Sequence, residues 1–418
     1  MLTFVVIAGC LLVPVAAEAA PRCFGRAATI VGTAGDDEIV GTPGNDVIVG
    51  LRGWDRIRGL GGDDRICGGR DPDFVRGGGG GDAIDGAGGS DTAHGGPGAD
   101  RIILGPGEVE ASFGGPGDDR LFGGTGSFDS LIGGGGDDLL DGGPGQDLAE
   151  FFDAPSGIAA DLETDVALGR GTDRIPSIEG LVGSNFDDVL FGDGTSNLIV
   201  AQEGDDMVDA RGSGTLEALE ADLIDGGGGA DTLDGGAGAD IVTFEDAPGP
   251  VTVDLAEGTA TGWGTDALLG VEAIVGSSFD DTLLGDAQDN AIAAGAGDDL
   301  MDGRGGVDEA AYFDSFEPVV ADLGSGASTG WGSDTLMDVE DLTGSSFADV
   351  LTGDLGPNTI VGGSGPDALA GAAGDDVLVG ANGNDRADGG DGSDVCEAET
   401  EVACEGDPTD GVFLIWGS

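Results

Sequence analysis

From residue 37 onward the chain is written in units of nine, each with an apolar residue two places after an aspartate. The pairs are Asp37 with Ile39, Asp46 with Ile48, Asp55 with Ile57, Asp64 with Ile66, Asp73 with Val75, Asp82 with Ile84, Asp91 with Ala93 and Asp100 with Ile102. Glycine stands two places before the aspartate in seven of these eight units, and Asp71 takes the slot in the other. One small backbone unit is therefore repeated, and each copy presents a carboxylate in a glycine-rich turn followed by a strand of about three residues. Helix signals are nearly absent; Leu216 to Leu223 is the single candidate for a short turn of helix. The pattern predicts an all-β chain, a solenoid in which the apolar residue of each short strand faces a narrow core.

The register breaks after Asp100 and returns, shifted in phase, at Asp119 and then at Asp129, Asp138 and Asp147. Later runs are Asp188, Asn197 and Asp206; Asp222, Asp231 and Asp240; Asp281, Asn290, Asp299 and Asp308; and Asp349, Asn358, Asp367, Asp376, Asp385 and Asp394. Between these runs lies a longer repeat. Segment 147–206 aligns without gaps on 240–299, and the latter on 308–367, so three 60-residue elements are interleaved with the nonapeptides. They share Phe151, Phe244 and Tyr312; Asp173, Asp266 and Asp334; Glu179, Glu272 and Glu340; and Phe186, Phe279 and Phe347. Val251 to Leu255 alternates apolar and polar before a glycine-containing turn and Thr259 to Thr261, which predicts a short hairpin in each element. Trp263 and Trp331 match one another and read as packing or surface aromatics; Arg170 stands there in the first copy.

The expected organisation is a signal peptide (1–19), a repeat block (20–150), an insert (151–187), a block (188–243), an insert (244–280), a block (281–311), an insert (312–348), a C-terminal block (349–406) and a tail (407–418). The signal reading rests on the apolar run Leu2 to Ala17 and the small-residue spacing Ala17-Glu18-Ala19, although no Lys or Arg precedes the run. Ile7-Ala8-Gly9-Cys10 has the look of a lipoprotein box, but the apolar stretch continues past Cys10 to Val15, which favours secretion over a lipid anchor. The four remaining cysteines, even in number in an exported chain, suit two disulfides, Cys23 with Cys67 and Cys396 with Cys404, one at each end of the solenoid. Their spacing does not suit zinc.

Composition sharpens this picture. Gly (88) and Pro (16) make about a quarter of the 418 residues, as in disordered chains, yet random low complexity would not hold a fixed phase. The formal charge is −66, a load that a compact state relieves most simply by binding cations. All 15 basic residues are Arg, ten of them at or before Arg120. Such a charge repels phosphate backbones, so nucleic acid is excluded as a partner. Anionic membranes are excluded too unless calcium bridges them, and no membrane span is expected. With one His (His94), one Tyr (Tyr312) and no Lys, the chain is poor in catalytic groups. His94 reads as a solvated turn residue. Acidic pairs such as Asp36-Asp37 and Asp137-Asp138 recur along the chain, which an ion-binding lattice requires and a catalyst does not.

A hard divalent cation takes six to eight oxygen ligands from carboxylates, carbonyls and water. Glycine-rich turns can supply the carbonyls and the ladder aspartates the charge. The segments GTPGNDVIVG (41–50), GLGGDDRICGG (59–69), GGGGDDLLDGG (133–143) and GAAGDDVLVGANGNDRADGG (371–390) resemble the RTX, or haemolysin-type, calcium-binding nonapeptide. That resemblance implies a parallel β-roll with two nonapeptides per coil and calcium between stacked turns, held by the Asp residues of these runs from Asp37 to Asp394. Trp54, Asp71, Pro72, Asn197, Asn290 and Asn358 depart from the pattern, and weaker or empty sites are expected there. On the order of ten to twenty calcium ions would be held.

Enzymes of the family carry a separate catalytic domain, for which no room remains, and its pore-forming toxins use an apolar region and acylated lysines that this chain lacks. The expected protein is no enzyme but a secreted, calcium-dependent structural or adhesive β-roll, with a cell-surface or matrix polymer as partner and possible cell-wall association. The rival readings are a cytolysin of the same repeat class and an exported hydrolase relative without its catalytic part.

Overall fold

The computed structural model describes residues 20–212, 221–398 and 400–404. The predicted signal, most of the Leu216–Leu223 turn and the apolar tail lie outside these residues; Leu223 itself opens a strand, Leu223–Asp225. The described chain is an all-β, predominantly parallel solenoid. Successive units place their strands alternately in two sheets. Glu38–Val40, Arg56–Gly61 and Phe74–Gly79 begin sheet I, and Ile30–Val31, Val47–Arg52 and Arg65–Arg70 begin sheet II. Ile39 pairs with Ile57 and Ile48 with Ile66, so a coil is two units long and identical positions stack.

Most strands are three residues long, and only the middle side chain turns inward. Ile48, Ile57, Ile66, Ile84 and Ile102 are fully buried, and this single file continues through Leu190, Ile199, Leu283, Ile360 and Leu378. The core is thus one apolar side chain per strand, which explains how a chain so rich in glycine and acid still closes around a continuous apolar line.

The phase shift after Asp100 is a lengthening and not an interruption. Thr92 pairs with Ala111 and Arg101 with Arg120, so coils in this stretch take 19 residues in place of 18, and the strands Val109–Pro116 and Phe128–Gly135 absorb the difference without losing the parallel pairing.

Each long element adds an antiparallel meander to sheet II alone. In the first, Ala159–Asp161 pairs antiparallel with Val166–Leu168, which pairs antiparallel with Thr172–Arg174. The outer strands rejoin parallel neighbours, Leu139 beside Arg174 and Ala159 beside Val189. The hairpin expected at Val251 to Thr261 is Thr252–Asp254 against Thr259–Thr261, and the third copy repeats the arrangement. Sheet I steps past each insert in a single rung, so among the described residues it has 18 strands against 25 in sheet II. Phe151, Ile158, Leu162 and Ile178, and in the later copies Phe244 and Tyr312, fill the volume behind the meander. Forked arginines tie two inserts to later coils: Arg211 contacts both carboxylate oxygens of Asp161 (3.0 and 3.2 Å), and Arg304 both of Asp254 (2.7 Å each).

Disulfides join Cys23 to Cys67 and Cys396 to Cys404. The first anchors the small hairpin Arg22–Ala27 onto the opening coils of sheet II beside Val47 and Val49; the second closes the last coil.

Glycine two places before the aspartate plays two different roles. At Gly117 φ is +146°, and an added Cβ would lie 1.4 Å from the Gly98 carbonyl oxygen of the coil before. Gly35, in the same slot of the first coil, has no atom within 4 Å of such a Cβ. Gly117→Ala is therefore expected to destabilise the folded chain by about 1–3 kcal/mol, and Gly35→Ala to leave it nearly unchanged; urea denaturation of the calcium-loaded proteins reads the difference.

Candidate metal centre

Every ladder aspartate stands at or beside the start of a strand, where the turn delivers it into the coil. Because coils stack in register, the backbone N–H of one aspartate points at the carboxylate of the equivalent residue one coil later. The N–H of Asp37 donates to Oδ1 of Asp55 (2.9 Å), Asp55 to Asp73 (2.9 Å) and Asp73 to Asp91 (2.8 Å). On the opposite turn Asp46 donates to Asp64 (2.8 Å), Asp64 to Asp82 (2.8 Å) and Asp82 to Asp100 (2.7 Å). Two ladders thus run the length of the solenoid. Asp37 is half-buried, and the other ladder aspartates named from the sequence are all buried.

The structure also places acids that the nine-residue count left out. Glu110 pairs in register with Asp129 and fills the rung between it and Asp91. In each insert Asp173, Asp266 or Asp334 receives the N–H of Asp138, Asp231 or Asp299, and Glu179, Glu272 or Glu340 receives that of Asp147, Asp240 or Asp308. Beyond the meander, the N–H groups of Ile158, Val251 and Val319 take up the ladder again on Asp188, Asp281 and Asp349. Their recurrence in all three long copies was the available signal. Asn197, Asn290 and Asn358 each follow a Glu rung, and their Nδ2 donates to that Glu's carbonyl oxygen.

One Asp oxygen is thereby satisfied at most rungs, Asp129 having neither oxygen bonded; the fate of the other divides the rungs into two kinds. In the first kind the residue four places before the aspartate has positive φ, as at Leu51, Leu60, Gly78, Ala87, Gly96 and Gly115, with Asp129, preceded by Thr125, the exception. Its N–H then turns away from the carboxylate, Gly78 to the Gly95 carbonyl (2.8 Å), Gly96 to that of Gly114 (2.9 Å) and Gly227 to the Asp225 carboxylate (2.9 Å). Oδ2 is left buried without a hydrogen-bond donor at Asp55, Asp64, Asp73, Asp82, Asp91, Asp100, Asp119, Asp129, Asp138, Asp147, Asp206, Asp231, Asp240, Asp299, Asp308, Asp367, Asp376 and Asp394. In the second kind that position is Thr or Ser and its φ is not positive. Thr42 N–H and hydroxyl both donate to Oδ2 of Asp46 (2.6 and 2.9 Å), Thr33 does the same to Asp37, and Ser277 and Ser345 donate to Asp281 and Asp349. Ser184 closes on Asp188 likewise.

The orphaned oxygens face a crowded, oxygen-rich cradle. A Cβ built on Gly50 would lie 2.3 Å from Asp55 Oδ2 and 2.4 Å from the Gly68 carbonyl oxygen; on Gly59 the distances to Asp64 Oδ2 and the Gly77 carbonyl are 2.2 and 2.5 Å. Glycine five places before the aspartate keeps this space free of side chain at most rungs, with Ala201 and Ala294 in the slot at Asp206 and Asp299. Two acceptors meeting with no proton between them repel, and an ionised carboxylate buried in this way costs several kcal/mol. The donor set is oxygen only, which fits a hard cation such as calcium. Among the described residues no three His, Cys, Asp or Glu side chains converge, because each rung brings one carboxylate and backbone carbonyls supply the rest.

Burial pushes these carboxyls up: Asp73, Asp82, Asp119, Asp206, Asp231, Asp299 and Asp308 to about 7, and Asp91, Asp100 and Asp240 to about 6. The N–H from the neighbouring coil opposes the shift. His94, expected in a turn, lies in the strand Thr92–His94, its ring stacked on Phe113 (4.3 Å) and tilted against Phe74 (5.4 Å); burial and Arg76 lower its pKa. No helix among the described residues is long and apolar enough to cross a membrane.

Coils built from paired nonapeptides, each with a buried carboxylate ladder, define a calcium-binding repeat solenoid. The family model for the RTX calcium-binding nonapeptide repeat (4 copies) matches residues 31–66, 40–75, 76–108, 113–149, 181–212, 220–245, 275–310, 343–378 and 361–396. These matches cover well over half of the chain, which belongs to this family. A comparison with curated proteins gave no match.

With calcium removed by chelator, an Asp with a folded pKa near 7 and an unfolded value near 3.9 binds more protons folded than unfolded between those limits, so stability falls as pH rises through that window. Acidification from pH 7.5 to 5 is therefore expected to shift the chelated chain toward the folded state, read as a gain of β signal in far-ultraviolet circular dichroism. A loss of β signal over the same range would contradict the assignment.

Proposed function

We propose that this protein is an exported calcium-dependent β-roll whose folding is driven by ion binding and whose folded rod serves a structural or adhesive role at a cell surface or in a matrix. The observation that carries the calcium reading is the file of buried Oδ2 atoms from Asp55 to Asp394, each without a donor and backed by backbone oxygens. The Asp residues at these rungs would hold calcium, together with carbonyls of the glycine turns. Bound calcium supplies positive charge that neutralises the facing oxygens of neighbouring coils. The chain's own part is to stack those oxygens in register, exclude side chains from between them and fix each carboxylate through Oδ1. Folding and binding are then linked, because the oxygens meet only when coils stack.

Export is supported by the signal-like N-terminal run and the paired cysteines. The adhesive role is supported by an extended surface carrying exposed Phe186, Phe279, Phe316 and Phe347 on the inserts.

Far-ultraviolet circular dichroism during calcium titration tests the first part. A chelated chain should be expanded and gain β structure cooperatively as calcium rises toward the millimolar range, and an unchanged spectrum in excess chelator would sink the reading. Pull-down on cell-wall or matrix polymer, with calcium and with chelator, tests the second; capture in calcium alone is the expected result.

A further inference from the structure

The two kinds of rung are not scattered. Rungs closed by hydrogen bonds come in pairs that make one coil each: Asp37 with Asp46, Asp188 with Asn197, Asp281 with Asn290 and Asp349 with Asn358. In the Asn members, the N–H four places earlier, from Asp193, Asp286 or Asp354, donates to Asn Oδ1 at 2.7 to 2.9 Å. The first closed coil opens the solenoid, and each of the others follows directly on an insert. At all four places a rung has no regular nonapeptide turn as its predecessor. Asp188, Asp281 and Asp349 receive the N–H of Ile158, Val251 and Val319 instead of an aspartate's, and each Asn follows a Glu.

We propose that these four coils hold no calcium: Thr33, Thr42, Ser184, Ser277 and Ser345, with Asp193, Asp286 and Asp354, take the ion's place with protein hydrogen bonds, so calcium loads in four separate blocks, each started by a metal-free coil. The proposal rests on the calcium reading above and narrows it, removing Asp37, Asp46, Asp188, Asp281 and Asp349 from the ligand set. The physical basis is the count of lone pairs. At Asp188, Asp281 and Asp349 Oδ2 already accepts an N–H and Oδ1 the bond from Ile158, Val251 or Val319, with the serine hydroxyl completing the set, and at Asp37 and Asp46 Oδ2 accepts both the N–H and the hydroxyl of Thr33 or Thr42. In an open rung Oδ2 accepts nothing. The choice follows one N–H, four places before the acid: at positive φ it turns away from the carboxylate, to the next coil or to a nearby side chain, at Thr33, Thr42, Ser184, Ser277 and Ser345 it donates to the carboxylate, and at Thr125, before the open Asp129, it goes to the Gly105 carbonyl. Ser or Thr favours the second outcome, since its hydroxyl also accepts the N–H two residues on, as Ser345 does from Phe347 (3.0 Å).

Asp349 and Asp367 are successive rungs of one ladder, the first closed and the second open, and Asn already replaces Asp in a closed rung at Asn358. Calcium bound per full-length chain, measured by equilibrium dialysis and elemental analysis, should be unchanged in Asp349→Asn and lower by at least one ion in Asp367→Asn. Equal losses in both variants would overturn the partition while leaving calcium binding intact, whereas an unmodified chain that binds no calcium would overturn both readings. If Asp367→Asn fails to fold, anomalous scattering from calcium in crystals of the unmodified chain decides the matter: peaks are expected beside Asp367 and Asp376, and a peak beside Asp281 or Asp349 would refute the proposal.

Discussion

The structure depends on one contact repeated between coils, a backbone N–H donating to the buried carboxylate of the equivalent residue in the next coil. It fixes one oxygen of most ladder aspartates and locks the vertical register of the stack. It also leaves a second oxygen facing a neighbouring carbonyl in a space too dry to hydrate it. The same geometry that orders the coils therefore creates the demand for a cation, and a chain with 81 acidic residues can be compact only where that demand is met.

The inserts show how strongly the ladder constrains the fold. Each adds an antiparallel meander to one sheet and none to the other, a mismatch that would ordinarily break a solenoid. The break is avoided because Asp173, Glu179 and their counterparts keep a carboxylate on the rungs beside each meander, with the longer Glu reaching the N–H of Asp147, Asp240 or Asp308. Large side chains such as Phe151, Phe244 and Tyr312 then fill the widened core. Chain length is free to vary, from 18 to 19 residues per coil and to 35 through a meander, so long as an Asp, Glu or Asn returns to the same place.

The solenoid and its oxygen chemistry were legible because a strand of three residues leaves only one way to point an apolar side chain inward, and a nine-residue period writes that choice openly. The hairpin at Val251 to Thr261 was legible from alternation. Three features were not. The glycine five places before each acid is sterically demanding yet looks like any other glycine among 88. The rung at Glu110 hides behind a one-residue lengthening. His94 was misplaced because its strand is defined by pairing with Phe74 and Phe113, residues a coil away.

By itself the sequence determined the period, the inward apolar line, the glycine-rich turns and the oxygen-only donor set, because each is a local property of a repeated nonapeptide. Tertiary structure alone decided which carboxylate oxygens are satisfied. That outcome turns on whether the N–H four residues before the acid faces its own carboxylate or turns away from it, most often to the coil above, and a coil has a neighbour above it only once the stack has formed.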